Sequence, residues 1–183
     1  SLAAPVGAAF ADDRDDWPYP DRRVLVIEDE VPFAQILFDL AHELKYSCLV
    51  AHRAEEGFAA ALEYRPDAIL LDMGLPDHSG LTVLERLKDN PLTRHIPVHV
   101  VSASDRIETA MHMGAVGYAI KPTTRDELRE AFTRLEAKFA AGIKRVLLVE
   151  DDALQRDSIA KLIGDVDVEI TVDSGLKKPI DAA

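Results

Sequence analysis

The feature of this chain that most constrains its fold is a fivefold alternation of short apolar runs with helical patterns across residues 22–140. The apolar runs lie at 24–30, 48–51, 68–72, 96–101 and 117–120, and the helical patterns lie at 32–44, 54–64, 81–88, 105–113 and 124–140. Runs rich in Val, Ile and Leu are typical of parallel strands that helices cover on both faces. The sequence therefore predicts an α/β fold with a doubly wound, five-stranded parallel sheet.

Two helix starts carry local signals in the sequence. Pro32 lies near the start of the first helical pattern, where the first turn of a helix tolerates proline. Thr124 is followed three residues later by Glu127, a pattern that predicts a capping box at the start of the last helix of the sheet domain.

The acidic balance of the chain limits the partners that we expect. The net charge of −12 argues against nucleic acid or an anionic membrane as the main partner, and it suits a cation site. The single cysteine, Cys48, forms no internal disulfide and fits a reducing compartment. We see no signal peptide and no apolar run of the roughly 20 residues that a membrane helix needs. We therefore expect a cytoplasmic protein.

A sequence repeat divides the chain. The stretch KRVLLVEDD at 144–152 repeats RRVLVIEDE at 22–30 with an offset of 122 residues. Residues 1–21 mix Ala, Pro and Asp without a sustained period. We therefore predict a linker at 1–21, a first domain at 22–141 and an incomplete second unit of the same type at 142–183.

Polar residues follow the predicted strands at the points where those strands end. In an open parallel sheet the ligand site lies beyond the carboxyl ends of the strands. This rule places one set of chemically active side chains at a common edge, namely Glu28, Asp29, Asp72, Ser102 and Lys121. Asp72 on its own is equally typical of a turn or helix cap before Gly and Pro, and only its convergence with the other four favours a chemical role.

The chemistry of this set suits phosphoryl transfer. Glu28, Asp29 and Asp72 bring up to three negative charges together, and a hard cation such as Mg²⁺ would relieve their repulsion. A carboxylate beside Mg²⁺ can attack a phosphoryl group and form an acyl phosphate. The Lys121 ammonium and the Ser102 hydroxyl could then neutralise the remaining phosphoryl oxygens.

Four motifs occur in order along residues 22–140: IEDE, LLDMGLPDHSG, VVSAS and GYAIKP. Together they resemble the receiver domain of two-component response regulators. The resemblance implies a flavodoxin-like sheet in the order 2-1-3-4-5. It also implies Asp72 as phosphoacceptor, Asp29 as a direct Mg²⁺ ligand, Glu28 as a ligand largely through water, and the backbone carbonyl of Gly74 as a further ligand.

The same resemblance assigns roles to the residues after the fourth and fifth strands. Ser102 would contact the phosphoryl group and Lys121 would be its counter-charge, with a cis bond before Pro122 that aims the lysine inward. Tyr118 matches the aromatic switch that turns inward as Ser102 is drawn to the phosphate, and a half-buried strand aromatic is the alternative interpretation. Ala103 is suitably small beside the entry path.

Three departures from the family pattern are mild. The family more often has Asp at the position of Glu28 and Thr at the position of Ser102, and both replacements keep the functional group. Gly74 has no side chain that could help or hinder an attacking water. The lifetime of a phosphoryl group on this chain therefore stays open.

Other patterns in the chain resemble functional sites less well. The stretch AHELK around His42 resembles the phospho-accepting box of sensor kinases, but it stands near the end of a short helix. Phosphatases of the haloacid dehalogenase type need a second aspartate two residues after the nucleophile, where this chain has Gly74. Met111, His112 and Met113 could suggest a copper site, but helix packing is the simpler interpretation.

The second unit carries its own acid pair, Glu150 and Asp151. The spacing of the first unit would put a second phosphoacceptor near residue 194, beyond the 183 residues of the chain. Because Lys178-Pro179 resembles Lys121-Pro122, one hypothesis is that roughly 60–70 residues are absent between Gly175 and Lys177.

These observations favour a phosphoacceptor in a phosphorelay, which receives its phosphoryl group from a phosphohistidine of a kinase or phosphotransfer domain. The fragment shows no kinase core, and tandem receivers behind a linker resemble the C-terminal part of a hybrid sensor histidine kinase. The alternatives are a multi-receiver response regulator, whose output domain lies outside the fragment, and a receiver-fold docking module that is not phosphorylated. We expect a protein partner at the 107–132 face, and a homodimer is one arrangement that the sequence allows.

Overall fold

The structure is a computed structural model that describes residues 11–140, 144–163 and 168–173. Its main body is a five-stranded parallel sheet in the order β2-β1-β3-β4-β5 with helices on both faces. The strands are β1 (Arg23–Ile27), β2 (Ser47–Ala51), β3 (Ala68–Leu71), β4 (Val98–Ser102) and β5 (Gly117–Ile120). The helices are α1 (Val31–Glu43), α2 (Ala54–Tyr64), α3 (Gly80–Asp89), α4 (Ile107–His112) and α5 (Arg125–Ala140). The predicted fold class and strand order are confirmed.

Two strands, β1 and β3, are shorter at their carboxyl ends than the apolar runs that predicted them. β1 ends at Ile27 and β3 ends at Leu71, so the acids that follow lie in loops at the sheet edge. β4 begins at Val98, because Pro97 has no N–H to donate and contributes only the carbonyl that accepts from Ile69 N.

Both faces of the sheet are buried, as the unbroken apolar runs predicted. Successive residues of β1 alternate between two cores: Leu25 and Ile27 pack with α2 and α3, and Val24 and Val26 pack with α1 and α5. The capping box at α5 is present, because Glu127 N donates to Thr124 Oγ1 and Thr124 N donates to a Glu127 carboxylate oxygen. The packing of helices against both faces of the sheet holds the strand ends in place.

Residues 11–21, part of the predicted linker, lie against the sheet. A 3-10 helix at Asp13–Asp15 contacts β2, and the Trp17 ring lies 5.9 Å from the Tyr64 ring. Residues 1–10 lie outside the described residues. The domain boundaries drawn from the sequence stay a prediction.

The second unit repeats the first in the part that the structure describes. β6 (Lys144–Val149), α6 (Ala153–Ile163) and β7 (Val168–Asp173) follow in the order of β1, α1 and β2. β6 and β7 are parallel, and their register, Arg145 with Glu169, matches that of Arg23 with Ser47. Glu150 and Asp151 follow β6 as Glu28 and Asp29 follow β1. The proposed gap near residues 175–177 lies outside the described residues.

Among the residues that the structure describes, we find no helix that is both long enough and apolar enough to cross a membrane.

His99 is a buried histidine at the centre of the sheet. It lies in β4 with only 3% of its surface exposed, and a Cβ on its neighbour Gly117 would come within 2.5 Å of the imidazole. Burial lowers the pKa of His99 to about 4, and the charge of Arg134 lowers it further. The imidazole of His99 is therefore neutral in the folded protein near neutral pH. In acid, the unfolded chain takes up a proton at His99 more readily than the folded protein does.

The first prediction concerns this imidazole. Because the folded pKa of about 4 is below the unfolded value of 6.5, its contribution to stability is full above pH 6.5 and is lost as the pH falls through 4. Between pH 7 and pH 5, His99→Leu should lose about 2 kcal/mol less unfolding free energy than the wild type. Urea denaturation at both pH values measures this difference. The control His112→Leu changes an exposed histidine and should follow the wild type, and an equal loss in both variants would contradict the prediction.

Candidate functional site

Asp72 is the first residue after β3, and the fold buries its carboxylate at the carboxyl edge of the sheet. Its N–H donates to Ile27 O at 2.9 Å, so the backbone beyond β3 is held against the end of β1. Only 6% of the residue is exposed. The other two acids, Glu28 and Asp29, lie in the loop after β1, and β1 is the strand that pairs with β3.

Three carboxylates meet at this edge. Glu28, Asp29 and Asp72 each place one carboxylate oxygen within 4.8 Å of the others. Glu28 and Asp72 are buried, and Asp29 is partly exposed. Such a group of oxygen donors fits a hard divalent cation such as Mg²⁺, which keeps some water ligands beside one or two carboxylates.

Lys121 is the cation that the fold provides at this cluster. Its Nζ lies 2.8 Å from Glu28 Oε2 and 3.8 Å from Asp72 Oδ2. It also lies 4.3 Å from the centroid of the Phe33 ring, which is a cation–π distance. The Lys121–Pro122 bond is cis, as the family resemblance implies. Lys121 is thus oriented toward the acids.

Glu28 is a buried carboxyl group whose pKa is raised. Burial raises the pKa of Glu28 to about 7, and the charge of Asp72 adds to the rise. Hydrogen bonds from Lys121 and from Glu30 N oppose this rise without cancelling it. At neutral pH, Glu28 is therefore near its titration midpoint, and a bound cation would compete with the proton.

Ser102 joins the end of β4 to the loop that follows Asp72. Its Oγ accepts from Met73 N and from Ser104 N, both at 3.3 Å, and the residue is buried. The hydroxyl therefore lies beside the peptide that follows Asp72. A group that drew the hydroxyl away would disturb the loop that carries Ser104.

Tyr118 contacts the same loop from β5. Its hydroxyl donates to Ser104 O and accepts from Arg106 N at 3.4 Å. The ring is partly buried against the core. Tyr118 is thereby linked to Ser102 through a single intervening residue, an arrangement compatible with both the switch and the packing interpretation.

Two glycines occupy the loop after Asp72. A Cβ on Gly80 would lie 2.2 Å from Asp72 O, so a larger residue there would displace the Asp72 backbone. Gly74 is exposed, and a Cβ on it would lie 3.6 Å from Asp72 Oδ2. A side chain at position 74 would therefore begin beside the acceptor carboxylate.

Asp77 ties this loop to α2. Its carboxylate accepts from Ala54 N at 2.7 Å and from Glu55 N at 3.0 Å, at a helix start where Arg53 provides no side-chain cap. Backbone N–H groups, those of Glu55 and Ala54 foremost, outweigh the effect of burial and lower the pKa of Asp77 to about 2. The sequence alone did not single out Asp77 or Phe33, because neither residue lies at the end of a strand.

The residues that resembled other sites lie elsewhere. His42 is in the last turn of α1, where its Nε2 is 2.7 Å from Asp13 Oδ2. His112 is exposed at the end of α4, and Met113 packs partly against the core. Neither arrangement brings these side chains to the acid cluster.

Comparison with known proteins identifies the family. The response regulator receiver domain matches residues 24–133, which is more than half of the chain. The chain therefore belongs to the response regulator receiver domain family. Proteins of this family accept phosphoryl groups from histidine kinases or phosphotransfer partners, and they generally bind Mg²⁺. The acid cluster is thus the phosphorylation-site cluster of a receiver domain.

Three similar proteins illustrate the match. The phosphate regulon transcriptional regulatory protein PhoB of Pseudomonas aeruginosa is 32% identical over 119 residues, covering 63% of this chain and 51% of its own length. The polar-differentiation response regulator DivK of Brucella anthropi is 38% identical over 82 residues, covering 45% of this chain and 67% of its own. A CheY-like receiver domain structure from Methanospirillum hungatei has a TM-score of 0.60 at 24% identity, covering 66% of this chain and 98% of its own.

These matches cover only part of each curated relative, so they identify the receiver domain and not the whole protein. The chain spans about half the length of the first curated relatives that it matches, with 51% and 57% of their sequences covered. The structural match at 24% identity shows the fold alone. The family assignment thus concerns the receiver domain.

The second prediction concerns repulsion within the acid cluster. In the absence of divalent cations and at pH 8, Asp72→Asn should raise the melting temperature by about 3 to 6 °C, because it removes one of the crowded negative charges. The gain should shrink below pH 7, where Glu28 takes up a proton. Thermal unfolding in EDTA measures both effects. The control Asp39→Asn changes an acid on α1, and an unchanged or lower melting temperature for Asp72→Asn would count against the cluster.

The third prediction concerns the cap that Asp77 provides. Asp77→Ala should lower the unfolding free energy at pH 7 by about 1 kcal/mol, the usual cost of losing a helix cap. Since the folded pKa of about 2 is below the ordinary 3.8, the contribution is present above pH 3.8 and is lost as the pH falls through 2. Urea denaturation at pH 7 and below pH 3 tests this, with Asp105→Ala as an exposed-loop control. Equal losses in the two variants would exclude the cap.

Proposed function

We propose that this chain is a phosphoacceptor receiver that takes a phosphoryl group from a phosphohistidine onto Asp72 with the help of Mg²⁺. The observation that carries the proposal is the meeting of three carboxylates within 4.8 Å, with Lys121 Nζ at 2.8 Å from Glu28 and 3.8 Å from Asp72. A partly buried lysine beside this cluster suits phosphoryl transfer to a carboxylate, because its charge can stabilise the phosphoryl oxygens.

The transfer follows from the positions of these side chains. An Asp72 carboxylate oxygen attacks phosphorus, the new P–O bond forms, and the P–N bond to the imidazole breaks with its electron pair going to the imidazole nitrogen. Lys121, 3.8 Å from Asp72 Oδ2, is close enough to pair with a phosphoryl oxygen. The Ser102 hydroxyl, beside the Met73 peptide, is placed to donate to another.

Bound Mg²⁺ would neutralise charge on the acids and on the phosphoryl group. We assign Asp29, Asp72 and the Gly74 carbonyl as its direct ligands and Glu28 as a ligand largely through water. The raised pKa of Glu28, about 7, supports this assignment, because a cation would stabilise the charged carboxylate that burial and the charge of Asp72 disfavour.

The contact of Tyr118 with Ser104 supports a route from the site to a partner surface. Movement of Ser102 toward a phosphoryl group would pull on Ser104 N, and Ser104 O holds the Tyr118 hydroxyl. Beyond Tyr118 lies the 107–132 face, the proposed docking surface for a partner protein. Its large apolar side chains are exposed at 42–43%, namely Ile107, Met111 and Ile120.

We further propose that the parent protein is a hybrid sensor histidine kinase with tandem receivers, of which 22–141 is the first and 142–183 the beginning of the second. The repeated register of β6 with β7 and the acid pair Glu150 and Asp151 support the tandem arrangement. A multi-receiver response regulator shares these features, and the sequence upstream of this chain distinguishes the two.

The fourth prediction tests the chemistry. With Mg²⁺ present, acetyl phosphate should phosphorylate the wild type on one aspartate, and BeF₃⁻ should produce the same amide chemical-shift changes around Ser104 and Tyr118. Asp72→Asn should abolish both responses, because the acceptor oxygen is gone. Intact-protein mass spectrometry and NMR are the two measurements.

A matched control and a negative outcome complete this test. Asp39→Asn removes one carboxylate from the outer part of α1 and should respond as the wild type does. If the folded wild type gives neither the phosphorylated mass nor the shift changes, the chain is a docking module with a receiver fold. A phosphorylated mass that persists in Asp72→Asn would move the acceptor elsewhere.

A further inference from the structure

β2 is an outer strand of the sheet, and the chain itself covers its free edge. β1 lies on one side of β2, where Ser47 N donates to Arg22 O. Alternate residues of a strand direct their N–H groups to opposite sides, so the amides of Cys48 and Val50 face away from β1. Open edges of this kind are templates for pairing with another chain.

Residues 12–19, which we call the N-terminal strap, supply acceptors to this edge through side chains. Asp13 Oδ2 accepts from Cys48 N at 2.6 Å, and Asp12 Oδ2 accepts from Val50 N at 2.9 Å. Arg14 Nη2 donates to Val50 O at 3.2 Å. The strap thereby satisfies the donors and an acceptor that a neighbouring strand would otherwise satisfy.

The two carboxylates are held in place by buried contacts. The Asp12 side chain is 5% exposed and pairs with Arg14 Nε at 2.8 Å, and the Asp13 side chain is 11% exposed and lies 2.7 Å from His42 Nε2. Burial would raise the pKa of Asp12, but hydrogen bonds from Arg14 and Val50 outweigh it and lower the pKa. Acids buried this deeply are costly unless they are paired, so their position indicates a specific contact.

Aromatic contacts fix the other end of the strap. The Trp17 ring lies beside Tyr64 at the end of α2, with the Arg23 guanidinium 4.5 Å from its centroid. Tyr19 N donates to Ser47 Oγ at 2.7 Å, at the start of β2. The strap therefore follows the whole length of the strand.

We propose that the N-terminal strap is an edge cap belonging to the receiver domain, and that it blocks β2 from pairing with β2 of a second copy of the chain. A two-fold pair is the fitting competitor, because one edge can supply to its own copy both the donors and the acceptors that the strap now satisfies. Each copy would direct the amides of Cys48 and Val50 at the carbonyl groups of the other. This inference is independent of phosphorylation at Asp72.

The fifth prediction uses the full chain with Asp12→Ala and Asp13→Ala combined. Amide exchange followed by NMR should accelerate about 10- to 100-fold at Cys48 and Val50, because each amide loses a bond to a charged acceptor. The Ser47 amide, which faces β1, should keep its protection. In sedimentation velocity, the double variant should self-associate more strongly with rising concentration than the wild type does.

The matched control combines Asp15→Ala and Asp16→Ala, which removes the same charge from exposed positions of the same segment. It should show the exchange rates and sedimentation of the wild type. Unchanged exchange at Cys48 and Val50 in the double variant would overturn the cap. Accelerated exchange without dimerisation would overturn the blocking role. Loss of protection at Ser47 as well would mean that β2 has unfolded. In that case, a chain lacking residues 1–20 is measured with the strap added as a peptide. Restored protection at Cys48 and Val50 supports the cap, and no restored protection overturns it.

Discussion

The repulsion among Glu28, Asp29 and Asp72 is the constraint on which the rest of this structure depends. Parallel strands must end at the same edge, so acids that follow β1 and β3 are forced together. The sheet, buried on both faces, cannot relax to separate them. Burial first, and the charge of Asp72 after it, raise the pKa of Glu28 to about 7, and Lys121 opposes this rise without cancelling it. The fold thus holds an excess of negative charge at this edge, which a bound cation can neutralise.

The loop after Asp72 keeps this imbalance from being relieved by movement of the backbone. Gly80 packs without space for a Cβ against Asp72 O, and Met73 N donates to Ser102. Asp77 accepts from the backbone at the start of α2, so the far part of the loop is anchored to the helix that packs beside α3 on the same face of the sheet. Three different contacts therefore hold one carboxylate, which is consistent with a site preorganised for chemistry.

The sequence was informative wherever position along a strand decides the outcome. Glu28, Asp72, Ser102 and Lys121 follow apolar runs, and a parallel sheet has only one edge at which such residues can meet. The sequence did not indicate a role for strap residues such as Asp13. The Asp13 carboxylate accepts from a backbone N–H 35 residues away, and no periodic sequence pattern predicts such a contact. Its stretch reads as a polar linker, since composition does not show which backbone groups a loop will satisfy.

The repeat shows that edge protection is a separate matter from the fold of a unit. β6 and β7 reproduce the register of β1 and β2 at an offset of 122 residues. At the same offset, the positions that correspond to Asp12 and Asp13 are Arg134 and Leu135 of α5, and Leu135 is buried in the core of the first unit. Those residues cannot serve as a strap for β7 while α5 stays packed. The strand, helix and strand can therefore be duplicated by sequence, whereas the cover on an outer strand has to come from whatever chain precedes it or packs beside it.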